Sequence, residues 1–200
     1  MVERKRDTSR KRESILDAAV RAFQDEGYDN TSMDRIADIA EASKRTVYNH
    51  FPSKEVLFKA VIDRFIDEMA CLKQIPYDPK RSLEDQLSDF AEGKLAVGKS
   101  PSSLGLMKVV LGVFIREPEL ATETIAKAEA GEDALVTWLT AAIKDGELKV
   151  DDVELAASVF WSMVSGAFFW PQILQGPLDP IAAQVLKKEL IQTFLARYRV

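Results

Sequence analysis

The sequence predicts an all-α protein of about nine helices, with an N-terminal three-helix domain over residues 1–54 and a larger helical domain over 55–200. Three observations predict it. Alanine, leucine, glutamate and lysine are plentiful, and runs of β-branched residues are few. Apolar residues recur at helical spacing, with serine, threonine and aspartate where helices should start and glycine or proline where they should stop. No segment reads convincingly as a strand. The chain has 200 residues, 46% of them hydrophobic, so a sizeable core can form.

The first helix is expected from about Ser9 to Glu26, with Ile15, Leu16, Ala18, Ala19, Ala22 and Phe23 as its apolar stripe and Gly27 as its C-terminal stop. Thr31 and Ser32 are N-cap candidates for the second helix, and Thr31 with Asp34 has the form of a capping box. Its buried face is Met33, Ile36, Ala37 and Ala40. The third helix starts at Ser43 and closes at Phe51-Pro52. Ser53 caps a fourth, which is expected to reach about Gln74.

Pro76-Tyr77-Asp78-Pro79 breaks the chain, and Ser82 opens helix five. Ser100-Pro101 starts helix six and Glu117-Pro118 bounds it. Helix seven is expected over Pro118–Asp145, with a break near Gly131. Asp151 is the expected cap of helix eight, which runs to Gln175 with a kink at Pro171. Asp179-Pro180 opens helix nine.

Charge and cysteine narrow the function classes. Net charge is −5, but residues 1–12 hold six basic side chains (Arg4, Lys5, Arg6, Arg10, Lys11, Arg12) against Glu3 and Asp7. Such an arm suits nucleic-acid phosphates better than the overall balance does. A single cysteine, Cys71, excludes an intrachain disulfide, which fits a cytoplasmic protein. The charged start lacks a signal-peptide pattern. Leu155 to Leu178 is a charge-free run of 24 residues, long enough to span a bilayer. Three serines, Gln172, Gln175 and Pro171 interrupt it, so a helix buried on all sides, and no membrane, is expected.

Residues 31–51, TSMDRIADIAEASKRTVYNHF, carry the functional signal. They have the outline of a helix-turn-helix, whose second helix enters the DNA major groove. With Lys44 set at zero and 100° per residue, Val47 and Phe51 fall at roughly 300° and 340° and mark the core side. Arg45, Thr46 and Asn49 lie opposite and face the groove. Arginine pairs bidentately with guanine, asparagine with adenine, and the threonine methyl meets that of thymine. Tyr48 and His50 flank this face, where phosphates run, and Lys54 with the start of the fourth helix offers another phosphate site.

These residues resemble the DNA-binding end of TetR/AcrR-type regulators. The matching positions are Gly27, Tyr28, Thr31, Ser32, Ile36, Ala37, Ala40, Ser43, Thr46, Val47, Tyr48, His50, Phe51, Ser53, Lys54, Glu55 and Leu57. The resemblance implies a homodimer bound to double-stranded DNA, a helical C-terminal ligand domain, and repression relieved by a small molecule. By carry-over Arg45, Thr46, Tyr48, His50 and Lys54 are DNA contacts; Thr31, Ser32, Lys44 and Asn49 complete the expected set. Two positions depart from the pattern: Glu41 and Ala42 stand where the family has glycine and valine. Glycine there permits a positive φ, which would cost a glutamate about 1 kcal/mol.

In the C-terminal half, FFWPQIL resembles the AefR-like subgroup. Helices eight and nine are apolar widely enough to pair with a second copy in a four-helix interface, with Phe160, Val164, Ala167, Val185, Leu186 and Phe194 as expected contacts. Phe90, Leu106, Met107, Val110, Phe114, Trp138 and Phe168 are candidates to line a pocket, which makes an apolar or aromatic effector the expectation. Catalytic chemistry is not indicated. There is no glycine-rich phosphate loop or Cys/His cluster, and the one histidine, His50, lies in the groove-facing helix, so no metal, cofactor or enzyme is expected. Asp151-Asp152 is explained as a helix cap. The alternatives are a DNA-binding regulator controlled by a protein partner or by abundance, and a helical enzyme or binding module with an incidental helix-turn-helix.

Overall fold

The computed structural model describes residues 2–71, 75–97, 101–129 and 134–200. Gln74, Ser100 and Gly131 lie outside them, as do the side chains of residues 2–8. The described residues form α1 (Val2–Asn30), α2 (Met33–Ile39), α3 (Lys44–His50), α4 (Lys54–Cys71), α5 (Leu83–Val97), α6 (Pro101–Arg116), α7 (Pro118–Glu129), α8 (Ala134–Lys144), α9 (Val153–Gln175) and α10 (Pro180–Tyr198). No strand occurs among them. The nearest approach is an isolated bridge between Leu148 and Arg199 that ties the 147–149 loop to the C-terminal end.

Several ends differ from the sequence expectation. Helical structure begins at Val2, not near Ser9, and Gly27 interrupts α1 with φ 78° and ψ 162°. The expected Thr31–Asp34 capping box does not form. Ser32 is the N-cap, its hydroxyl accepting from Arg35 N–H at 3.1 Å, and Arg35 stands where a box would need an acid. Asp152, not Asp151, caps α9, its carboxylate accepting from Leu155 N–H at 2.9 Å. The seventh helix is described as α7 and α8 on either side of residues 130–133, where the break near Gly131 is expected. Ser43 and Asp179 cap α3 and α10 as expected.

The chain divides into two compact units. One comprises residues 1–68 and 105–121, so part of α6 and the start of α7 join the N-terminal helices. Its core holds Ile15, Leu16, Ala19, Phe23, Ile36, Val47, Phe51, Leu57, Phe58 and Val61. Phe23, Tyr28 and Phe58 form an aromatic trio with centroid separations of 4.6–5.5 Å. Arg64 on α4 pairs with Asp17 of α1 at 2.8 Å.

The other unit comprises residues 69–104 and 122–200. Leu87, Phe90, Leu135, Trp138, Phe160, Val164, Phe168 and Phe194 are central to its core. Gln86 is fully buried there with its amide satisfied on both sides. Its oxygen accepts from Trp138 Nε1 at 3.0 Å and Asp78 N–H at 2.8 Å, while Nε2 donates to the Asp78 carbonyl at 2.9 Å and the Arg81 carbonyl at 3.1 Å. This side chain anchors the 78–82 break against α8.

α9 corrects another expectation. It is not buried on all sides: Ala156, Ala157, Phe160, Val164, Phe168 and Ile173 face the core, while Leu155, Trp170 and Leu174 are exposed. By length and composition this helix could cross a membrane, but a core helix passes the same test. Just before Pro171, where a kink is expected, residues Ser165–Phe169 form a π turn. Proline has no N–H, and its ring would strike the carbonyl four residues back; widening the preceding turn relieves this. Gln172 Nε2 donates to the Phe168 carbonyl at 2.5 Å within the same stretch.

Candidate nucleic-acid interface

Three tethers hold the helix-turn-helix. The first is at Thr31, which is 2% exposed. Its hydroxyl lies 2.7 Å from the Gly27 carbonyl and 3.1 Å from that of Ala22, so its one proton goes to the end of α1. Thr31 is therefore a buried tie, which corrects its expected role as a DNA contact. The second tether is Lys54. Its ammonium donates to the carbonyls of Tyr28 (2.8 Å), Thr31 (3.0 Å) and Asp29 (3.2 Å) and sits 4.5 Å from the Tyr28 ring centroid. An ammonium has three donors, and all three are engaged. The expectation of a free phosphate contact at Lys54 gives way to a brace over the broken end of α1.

The third tether is the turn itself. Glu41 has φ 48° and is the only described non-glycine residue with positive φ; of the two outcomes its replacement of glycine left open, an altered turn or a tolerated strain, the turn keeps its left-handed residue. Its N–H donates to the Asp38 carbonyl at 3.2 Å, and Ala42 N–H donates to that of Ala37 at 3.0 Å. This is the Schellman arrangement, with glutamate in the glycine position.

α3 presents Val47, Phe51, Arg45 and Asn49 as the angular reading expects, but Thr46, expected to face the groove with Arg45 and Asn49, is not fully exposed. Val47 and Phe51 are buried at 0% and 2% exposure, and Arg45 and Asn49 are exposed on the other side. Tyr48 is 47% exposed, a large aromatic left in solvent beside them. Thr46 is half-buried, its hydroxyl 2.7 Å from that of Ser43. His50 is half-buried, 6.3 Å from the Phe51 ring. Ser32 is exposed at the start of α2.

Lys44 is exposed but paired with Asp34 at 2.5 Å, and this hydrogen bond raises its pKa. Arg35 pairs similarly with Glu26 at 2.6 Å, and its pKa is raised by that bond. Such exposed pairs contribute little stability, so a phosphate can displace the carboxylate at small cost. The Glu55 carboxyl, in the first turn of α4, is held below its usual range by a hydrogen bond with Ser53. Sequence reasoning missed the Lys44–Asp34 pair, although the ten-residue spacing bridges the turn. It also missed Lys11, whose ammonium lies 3.1 Å from the Glu41 carbonyl and 3.5 Å from that of Ala40.

The remaining expected sites divide between the two units. Leu106, Met107, Val110 and Phe114 belong to the first unit, and Phe90, Trp138 and Phe168 to the second. Phe90 and Trp138 meet edge to face with centroids 6.1 Å apart. A cavity of about 180 Å³ in the first unit is lined instead by Tyr28, Glu55, Val56, Phe58, Lys59, Glu117 and Leu120. Of the expected dimer contacts, Phe160, Val164 and Phe194 are buried in their own unit's core at 0–2% exposure, whereas Val185 and Leu186 are 67% and 46% exposed. Ala167 is half-buried. Among the described residues no cluster of His, Cys, Asp and Glu could hold a metal ion.

Comparison with known proteins agrees with this geometry. Residues 15–61 match the bacterial regulatory proteins of the tetR family, and residues 85–200 match the AefR-like transcriptional repressor C-terminal domain. A TetR family transcriptional regulator from Pseudomonas syringae pv. tomato is 39% identical, with a TM-score of 0.77 over 94% of this chain and 97% of that one. The flavonoid-responsive regulator FrrA is 28% identical, with a TM-score of 0.76 over 96% and 98%. The transcriptional regulator RutR of Escherichia coli K12 is 28% identical over 86% of this chain and 80% of its own length. The chain belongs to the TetR family: it is a DNA-binding transcriptional regulator with an AefR-like C-terminal domain, not an enzyme.

Proposed function

We propose that the protein is a ligand-responsive repressor, which binds a pseudo-palindromic operator as a homodimer and leaves it when a small apolar or aromatic effector binds. One observation carries the DNA-reading part: α3 buries Val47 and Phe51 while leaving Arg45, Tyr48 and Asn49 in solvent on other faces. Arg45 and Asn49 suit base edges, and Tyr48 suits a phosphate. Ser32, Lys44, Thr46 and His50 are the flanking contacts in this reading; Lys54 and Thr31 act behind the interface.

The homodimer is supported by the apolar residues that α9 and α10 leave exposed, namely Leu155, Trp170, Leu174, Ile181, Val185 and Leu186. Two copies of such helices would bury these surfaces together and set two recognition helices about 34–36 Å apart, one turn of DNA. An aromatic effector is supported by the flavonoid response named for FrrA, which is 28% identical over 96% of this chain. Release then follows as a shift between two dimer geometries, only one of which spans successive grooves.

The test is to select sequences from randomised DNA with the full chain, then to screen aromatic small molecules for release of the selected duplex. A two-fold symmetric site and micromolar release support the proposal. Failure to enrich any sequence overturns it, and a symmetric site that no small molecule releases leaves the regulator without an effector.

A further inference from the structure

Two helices in this chain end in the same pair of backbone bonds, with different residues in the left-handed position. At the end of α8, Gly146 N–H donates to the Ile143 carbonyl at 3.0 Å and Glu147 N–H to that of Ala142 at 3.1 Å, with Gly146 at φ 83°. At the end of α2, Glu41 and Ala42 make the equivalent bonds to Asp38 and Ala37, with Glu41 at φ 48°. Glycine takes this conformation freely, whereas in an L-residue the Cβ crowds the following carbonyl. The α2 turn therefore carries strain that the α8 turn does not.

The same turn receives an ammonium. Lys11 comes from α1, 30 residues away, and its Nζ lies 3.1 Å from the Glu41 carbonyl and 3.5 Å from the Ala40 carbonyl. Carbonyls at a helix C-terminus lack intrahelical partners and hold the negative end of the helix dipole, so a cation is favoured there.

We propose that Lys11 is a positioning residue for the recognition helix: by gripping the Ala40 and Glu41 carbonyls it holds the left-handed turn from which α3 departs. Only Ala40, Glu41, Ala42 and the cap Ser43 lie between α2 and α3, so the torsion at Glu41 sets the direction in which α3 leaves. Without Lys11 the strained torsion relaxes and Arg45 and Asn49 shift together. Lys11 thus affects DNA affinity through backbone geometry, although the basic arm in which it lies invites a phosphate role. The proposal rests on α3 being the DNA-reading helix.

The test is a double-mutant cycle in the full-length chain with Lys11→Met and Glu41→Gly. The probe is a duplex selected from randomised DNA by the wild-type chain, and affinity is read by anisotropy from about 50 to 200 mM KCl. Lys11→Met is expected to weaken binding about five- to tenfold in the Glu41 background, with the salt slope unchanged. In the Glu41→Gly background, where the turn needs no brace, the same change should cost less than about twofold.

A salt slope shallower by about one unit makes Lys11 a phosphate contact and overturns the proposal. So does an equal loss in both backgrounds, or no loss in either. If Lys11→Met does not fold, by circular dichroism at the assay temperature, the double variant decides. Affinity and slope close to those of Glu41→Gly support the brace, and a shallower slope overturns it. Arg45→Ala is the separate control: if it binds at full affinity, the reading of α3 fails whatever Lys11 does.

Discussion

The Lys54 ammonium lies 4.5 Å from the Tyr28 ring centroid and 2.8 Å from the carbonyl oxygen of the same residue. One side chain therefore closes the end of α1 where Gly27 breaks it, and does so from the first residue of α4. Lys54→Met should destabilise the protein by about 1–3 kcal/mol, since it leaves carbonyls without a charged donor and removes the cation–π contact. Chemical denaturation measures that loss. The salt slope of DNA binding should stay close to wild type, whereas a phosphate contact would lower it by about one unit.

Arg45 is expected to read a base. Arg45→Ala should weaken binding to a selected duplex by about 1–3 kcal/mol and relax preference at one position of each half-site, seen by repeating the selection with the variant. Tyr48→Phe should instead weaken all sequences alike, because a phosphate contact positions without specifying.

Val185 is 67% exposed, so a charge there does not disturb the protomer's own core. Val185→Glu should convert a dimer to monomers of 22.4 kDa, measured by sedimentation, with helicity retained. Phe160→Ala should do the opposite, costing about 3–5 kcal/mol of stability through a cavity in the protomer core. Dimers that persist in Val185→Glu would rule out α10 as their interface.

Trp138 gives its indole N–H to the Gln86 amide oxygen at 3.0 Å in a buried setting. Trp138→Phe should cost about 2–4 kcal/mol, from lost volume together with a weakened buried amide. Thermal denaturation reads it. Gln86→Leu should be comparably costly, because the Asp78 and Arg81 backbone groups lose their partner.

The Tyr77 phenol is pushed up to about 12, by burial first and then by its 2.9 Å hydrogen bond to the Asp145 carboxylate and that group's charge. Below pH 10, its ordinary value, the proton is held in both folded and unfolded chains, and the full contribution to stability is present. Between pH 10 and about 12 the unfolded chain ionises while the folded chain keeps its proton, so that contribution is lost as pH rises. Thermal midpoints of wild type and Tyr77→Phe should converge across that window. A gap that stays constant with pH would refute the link.

Much of the interface was legible in the sequence because its determinants are local. Val47 and Phe51 share one side of α3 through helical periodicity alone, and Arg45 and Asn49 follow on the other. Caps such as Ser32, Ser43 and Asp179 act within three residues, and Glu41 was marked by the glycine it replaces. The failures are of another kind. Phe160, Val164 and Phe194 read equally well as partner contacts or as core, since periodicity says that a face is apolar and not what covers it.

By itself, then, the sequence determined the helical class, the helix-turn-helix and the outward face of α3, all of which depend on residues within a turn or two of one another. Tertiary structure decided what each long cation does. Lys54 and Lys11 look like phosphate ligands in a basic N-terminal region, yet both reach backbone carbonyls 23 or more residues away. The reason is physical: helix ends leave carbonyls without partners, and a flexible ammonium goes to whichever of these the packing of distant helices brings within about 3 Å.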